Sequence, residues 1–266
     1  MSSETTGTGV LDDAYDEEEV DDRSRMTFLE HLDELRRRIL YSVYVLAACC
    51  AVAFYFWDPL FQYYVRYFGQ YGGDLVFTQP MAGFMFSLKL SALAGLMVAS
   101  PFLFMQAWLF VAPGLYAREK KVVVPFVFCA TMFFLAGAYF AHAVAFPSMW
   151  QFFASYEVKD GLTFLPNLDT TFSFYVKAVL GLGGVFQMPM VVFFLARFGI
   201  VSAGFMLKNF KYAVLAIVVI AAVITPSSDP VNLAVFSAPM LVLYVISIGV
   251  AWVFGRNRKR QARDDD

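Results

Sequence analysis

Residues 212–225 read YAVLAIVVIAAVIT, residues 226–230 read PSSDP, and residues 231–254 read VNLAVFSAPMLVLYVISIGVAWVF. Neither apolar run contains Asp, Glu, Lys or Arg, and the segment between them is a turn built from two prolines, two serines and Asp229. The second run is long enough to cross a bilayer, which takes about 20 apolar residues. The first has 14 residues, about 21 Å at ~1.5 Å per residue, short of a hydrocarbon core of about 30 Å. Together they read as a helical hairpin whose tip lies near or below the outer surface, with local bilayer thinning as the response to the mismatch.

Working outward, the chain offers four more runs: Ile39–Trp57, Leu90–Val111, Val122–Phe146 and Ala178–Ala196. Composition agrees. Of 266 residues, 59% are hydrophobic and 16% charged, against about 25% charged in an ordinary soluble domain. A soluble fold of this size has no core large enough for so much apolar surface. A cytosolic globular protein, a disordered chain and a disulfide scaffold are excluded. The expected fold is an all-α membrane protein of six transmembrane helices, the last two short.

Orientation is set by the basic residues. With an even number of spans, sixteen of the Lys and Arg side chains fall on the side of the termini and four on the other. Both termini are therefore expected in the cytoplasm and the protein in the plasma membrane as a multi-pass component. Arg36-Arg37-Arg38, the next apolar run and Cys49 mimic a twin-arginine lipoprotein signal. The rest of the chain is a polytopic body rather than a secreted domain, so no cleavage is expected. Residues 1–25 carry nine acidic groups before the first arginine and read as a disordered, solvated tail. Residues 26–254 form the membrane domain and 255–266 a charged cytoplasmic tail. The loops 58–83 and 147–170 are long enough to fold into a cap over the outer face. Cys49, Cys50 and Cys129 lie in apolar runs as structural thiols expected to be buried, and Trp57, Trp108 and Trp150 read as interfacial anchors.

Two cytoplasmic segments carry the chemistry. Thr27 to Arg38 (TFLEHLDELRRR) opens with a capping box, Thr27 to Glu30, and sets Phe28, Leu29, Leu32 and Leu35 on one helical face with carboxylates on the other. An interfacial anchor accounts for the arginines but not for three acids beside an anionic membrane. Phe110 to Lys121 (FVAPGLYAREKK) is the first cytoplasmic loop after the amino-terminal segment. Its one acid, Glu119, could simply pair with Arg118 or Lys120. In the fourth span, Gln187 two residues before Pro189 is either a packing amide or a docking contact for a partner helix, and Pro189 marks a kink. Asp229 reads as a turn residue or the N-cap of the sixth span.

Phe28-Leu29-Glu30-His31-Leu32-Asp33-Glu34-Leu35-Arg36, together with Phe110-Val111-Ala112-Pro113-Gly114-Leu115-Tyr116 and Glu119, resembles the TatC family, the polytopic core of the twin-arginine protein translocase. Pro59, Phe146-Pro147, Thr225-Pro226, Asp229 and Ala238-Pro239-Met240 match in order, and the resemblance covers roughly residues 26–254. It implies binding of twin-arginine signal peptides on folded cargo, with Glu34 and Glu119 as the signal-peptide acids and Arg36 and Phe110 flanking them. It also implies single-span partners of the TatA/TatB type, self-association in the complex, and export driven by the proton-motive force. The family commonly has a glutamate at Gln187; an amide keeps hydrogen bonding but cannot titrate, which favours docking over proton linkage there. Pro59 and Asp229 are implied to support translocation.

No nucleotide-binding loop, hydrolytic triad, zincin motif or metal-ligand spacing occurs, so no enzyme activity, metal, cofactor or nucleic-acid partner is expected. The rival reading is a stand-alone transporter or channel for a small solute. It would place charges near the membrane midplane, where these spans have none.

Overall fold

The computed structural model describes residues 9–71, 75–111, 123–155, 165–225 and 229–264. Ten α-helices succeed one another along these residues: α1 Gly9–Tyr55, α2 Trp57–Gly69, α3 Ala82–Val111, α4 Val123–Phe140, α5 Phe146–Ala154, α6 Leu168–Val185, α7 Met188–Arg197, α8 Ala203–Lys208, α9 Phe210–Ile224 and α10 Pro230–Asp264. A π-helical turn, Ala141–Ala145, joins α4 to α5. Five stretches are long and apolar enough to cross a membrane: Glu30–Tyr55, Ala82–Phe110, Val124–Ala154, Leu168–Arg197 and Pro230–Val253. The sixth expected span is α9, which with 15 residues is short, as its sequence indicates. The last helix is not short. Its apolar part covers 24 residues, and the helix runs on to Asp264 because the basic segment after Gly255 is made mostly of good helix formers.

The beginning of the chain also departs from expectation. The backbone of residues 9–25, expected as a disordered tail, is helical and continuous with α1. No Gly or Pro interrupts residues 10–57, and acidic residues near a helix N-terminus are favoured by its dipole.

Close approach of small residues sets the packing, as expected where lipid supplies no hydrophobic drive between helices. α1 lies against α3, α4 against α6, and α10 against α7. At Gly95 of α3 an added Cβ would sit 2.7 Å from the backbone N and Cα of Cys50 in α1. At Gly137 of α4 it would sit 2.7 Å from the carbonyl oxygen of Leu182 and 2.9 Å from Cα of Gly183, both in α6. The fourth span bends between α6 and α7, where Phe186 and Gln187 leave the regular helix and Pro189 opens α7, the kink expected from proline. α7 ends in a Schellman motif, with Gly199 at φ 76° and Ile200 N–H donating to the Leu195 carbonyl at 2.8 Å.

The described parts of the two outer loops meet as a cap, with Phe68 of α2 against Trp150 of α5 at 5.7 Å between ring centroids. α2 packs against α3, and Val76 pairs with the segment before α6: its N–H donates to the Pro166 carbonyl and its own carbonyl accepts from Leu168 N–H, each at 3.1 Å. Asn167 caps α6, accepting from the backbone N–H of Asp169 and Thr170. Lys89 of α3 bonds Asp169 at 2.6 Å and Ser173 at 3.1 Å. Beneath the cap lies the aromatic core, with Phe68, Phe86, Phe146 and Phe172 fully buried. There His142 of the π-turn is held on both ring nitrogens, by Tyr63 at 3.1 Å and Tyr175 at 3.0 Å, and Tyr64 donates to Tyr175 at 3.0 Å. Burial pushes the Tyr64 phenol up to about 12, so it remains a neutral donor at physiological pH.

Two expectations fail on burial. Trp108 and Trp150 are buried rather than interfacial, whereas Trp57 is exposed as expected. Cys129 is exposed and Cys49 and Cys50 are half-buried. In a membrane an apolar side chain has no need of the protein interior, so apolarity alone does not tell lipid-facing from core positions.

Gly137→Ala is expected to lower the unfolding temperature in detergent, because the new methyl meets backbone atoms of α6; overpacking of this kind costs about 1–3 kcal/mol. Gly184→Ala, with nothing within 4 Å of the added Cβ, should change it little.

Candidate functional site

The rim at the end that carries the basic segments is assembled by α1 and the last turns of α3. Helical spacing puts Glu34 and Arg38 one turn apart on α1. Arg38 donates from Nε at 3.0 Å and from Nη2 at 2.6 Å, both to Oε1 of Glu34. Its Nη1 donates to Oε1 of Gln106 in α3 at 3.2 Å. Gln106 is buried, so Arg38 ties the two helices together through a polar residue that the bilayer would otherwise leave unsatisfied. One turn before Glu34, His31 stacks on Phe110 with ring centroids 4.6 Å apart. Glu34, Arg38, Gln106, His31 and Phe110 thus form one patch: a half-buried carboxylate next to an aromatic pair.

Of the residues singled out from sequence, Glu34 and Phe110 both lie at this rim, Glu34 held by Arg38 and Phe110 stacked on His31. Arg36 is exposed on another side of α1. Glu119 lies outside the described residues, as does the loop that carries it.

Gln187 sits at the bend between α6 and α7 and donates from Nε2 to the Ala130 carbonyl of α4 at 2.9 Å. This bond is a packing contact within the chain, and it engages the amide nitrogen of the side chain. Gln187 also lines a pocket of about 180 Å³ with Trp108, Phe126, Met190 and Phe194. Trp108 stacks on Phe126 at 4.3 Å, and among the described residues its indole N–H has no hydrogen-bond partner.

Pro59 stands in the first turn of α2 and lines an apolar cleft of about 450 Å³ between α1, α2 and α3. Asp229 is the N-cap of α10, its Oδ2 accepting from Asn232 N–H at 2.8 Å and its Oδ1 from the Asn232 side-chain amide at 2.9 Å. Among the described residues no group of three or more His, Cys, Asp or Glu could hold a metal ion.

Sequence reasoning gives no site role to Arg38, Gln106 and His31 at the rim, nor to His142 beneath the cap. The Glu34–Arg38 spacing is a usable signal. The other contacts join residues that are far apart in sequence, and no local pattern announces them.

Set beside known proteins, residues 30–239 match the family described as Sec-independent protein translocase protein (TatC). A Sec-independent protein translocase protein TatC of Koribacter versatilis is 41% identical over 247 residues, covering 90% of either chain. One of Helicobacter pylori (strain ATCC 700392 / 26695) is 36% identical over 223 residues, covering 83% of this chain and 85% of its own. A crystal structure of the twin arginine translocase receptor TatC superposes with a TM-score of 0.73 at 28% identity, covering 83% of this chain and 97% of that one.

The Asp229 cap gives a direct test of local stability. Asp229→Ala should destabilise the protein by about 0.5–2 kcal/mol, the usual worth of an N-cap, while Asp229→Asn should lose much less. Thermal unfolding in detergent compares the two.

Proposed function

The chain belongs to the TatC family of Sec-independent protein translocase proteins, and from that premise we propose that it is the receptor for twin-arginine signal peptides on folded cargo. The family is one of transport, and this member is a multi-pass membrane protein. The observation that carries the reading is the rim itself: a half-buried carboxylate, Glu34, in a patch with the aromatic ring of Phe110.

A carboxylate suits this task. The arginine guanidinium presents a planar fork of donors that matches the two oxygens of a carboxylate, and such charge-assisted pairs are stronger and more directional than a lysine contact. Partial burial strengthens them further by lowering the local dielectric. Phe110 and His31 supply ring faces on which a guanidinium plane or an apolar flank of the peptide can lie. Glu119 receives the second arginine, and Arg36, exposed on α1, flanks the site.

The same complex scaffolds single-span partners of the TatA/TatB type and contains further copies of this chain. Gln187 docks a partner helix: its Nε2 is engaged with Ala130, which leaves its carbonyl oxygen to meet a donor, and the neighbouring pocket accepts an apolar side chain. Pro59 and Asp229 hold the outer ends of helices in the positions translocation requires, and the proton-motive force supplies the energy.

Glu34→Ala and Glu119→Ala should each weaken binding of an Arg-Arg signal peptide about tenfold or more, as expected for one lost charge-assisted contact of about 1.5–3 kcal/mol. Glu119→Gln should fail as well, since an amide keeps the shape and loses the charge. A Lys-Lys peptide should bind weakly and lose less. Wild-type affinity in both alanine variants would refute the carboxylate receptor. Gln187→Leu should reduce co-purification of the single-span partners with signal-peptide binding intact, whereas Gln187→Glu should be tolerated; unchanged recovery in the leucine variant would leave Gln187 a packing residue alone.

A further inference from the structure

We infer that Arg38 is an internal competitor for Glu34, so that signal-peptide binding at this carboxylate is an exchange of guanidinium groups rather than an addition. The inference rests on the reading of Glu34 as a receptor for arginine. Both donors that Arg38 directs at Glu34, Nε and Nη2, converge on the single oxygen Oε1, at 3.0 and 2.6 Å. A forked contact from an incoming arginine needs both oxygens of the carboxylate. Oε2 alone offers it one arm, so the full fork forms only when Arg38 gives up Oε1.

The geometry provides for that exchange. Arg38 already holds a second acceptor, Gln106 Oε1 at 3.2 Å, on a different helix. A guanidinium has five donors, and one that leaves Glu34 keeps its hold on α3 through Gln106. The Arg38 side chain is 18% exposed and that of Glu34 29%, so bulk water is a poor substitute for the partner either would lose. Arg38 therefore keeps the receptor carboxylate neutralised and lowers the net affinity of any ligand that displaces it. Binding is kept reversible at a step where cargo must later be released. The other charged groups of this segment, Glu30, Asp33, Arg36 and Arg37, are exposed on α1. On α3 the residue facing the pair is the neutral Gln106.

Thermodynamics gives this competitor a signature. A ligand that displaces Arg38 regains the whole displacement cost when the competitor is weakened. A ligand that does not displace it, such as a lysine side chain with no fork, regains less. Arg38→Lys keeps the charge and removes the fork, so it weakens the competitor without altering the net field.

The test measures Arg-Arg and Lys-Lys signal-peptide affinities for the full chain in nanodiscs, as wild type, Arg38→Lys, Arg38→Gln, Arg37→Gln, Glu34→Ala, and Glu34→Ala combined with Arg38→Lys. Arg38→Lys should bind the Arg-Arg peptide roughly threefold to tenfold more tightly, the scale of one partly exposed charge-assisted contact, with a smaller change for Lys-Lys. In the Glu34→Ala background the same substitution should have no effect. A parallel loss for both peptides in Arg38→Lys and Arg38→Gln would make Arg38 a strut between α1 and α3 and overturn the inference. An unchanged Arg38→Lys, with Arg38→Gln and Arg37→Gln raising both peptides alike, would reduce the effect to net charge and overturn it too. If Glu34→Ala binds like wild type, the receptor reading itself falls. If Glu34→Ala loses binding while Arg38→Lys shows no gain, only the exchange is wrong.

Discussion

Hydrocarbon offers no hydrogen bonds, and the rest of this molecule is arranged around that constraint. Each span must satisfy its own backbone, so the membrane domain is helical throughout the described spans. Polar side chains within it gain most from partners inside the protein, and several of them find one. Ser87, Ser100 and Ser247 turn back onto carbonyls of their own helices at 2.7–2.9 Å. Tyr244 of α10 reaches the Met206 carbonyl of α8 at 3.0 Å, and Gln187 reaches Ala130. These last two bonds position one helix against another. With no hydrophobic drive between spans, close contacts at Gly95, Gly137 and Gly183 and such polar ties are what fix the bundle.

The same constraint shapes the rim. Gln106 is a buried polar side chain near the end of α3, and its partner is an arginine from α1 that also holds Glu34. A single guanidinium thus serves three ends: it satisfies Gln106, orients the carboxylate, and joins α1 to α3. The apolar stretch of α1 has none of its most hydropathic window buried inside the protein. Its place in the bundle therefore depends on α3, through the Cys50–Gly95 approach in the membrane and Arg38 at the rim.

What can be read without coordinates is whatever depends on runs and local spacing. Uncharged apolar runs mark the six spans, basic residues the side of the termini, Pro189 the bend, and Asp229 the cap. The family is legible because two cytoplasmic motifs occur in order around the first two spans. What depends on which face of a helix meets another is not legible. Trp108 and Trp150, expected at the interface, pack inside, and Cys129, expected inside, faces outward, since periodicity is weak in helices apolar on every side. The contact from Arg38 to Gln106 crosses 68 residues, and the pairing of His142 with Tyr63 and Tyr175 joins three separate elements. The helical backbone over residues 9–25 differs from the expected disordered tail: acidic composition argues for solvation, while the absence of any helix breaker allows α1 to continue.

The central claim is that an arginine pair of a signal peptide is received at the rim formed by α1 and the end of α3. The most direct measurement places a photo-reactive amino acid at position 31, at 107, or, beneath the cap at the opposite end, at 63, and crosslinks the membrane-embedded protein to a labelled Arg-Arg signal peptide. The account predicts crosslinks from 31 and 107, their loss when the peptide carries Lys-Lys, and none from 63. Crosslinking from 63 with none from 31 or 107, or equal yields with either peptide, would contradict it.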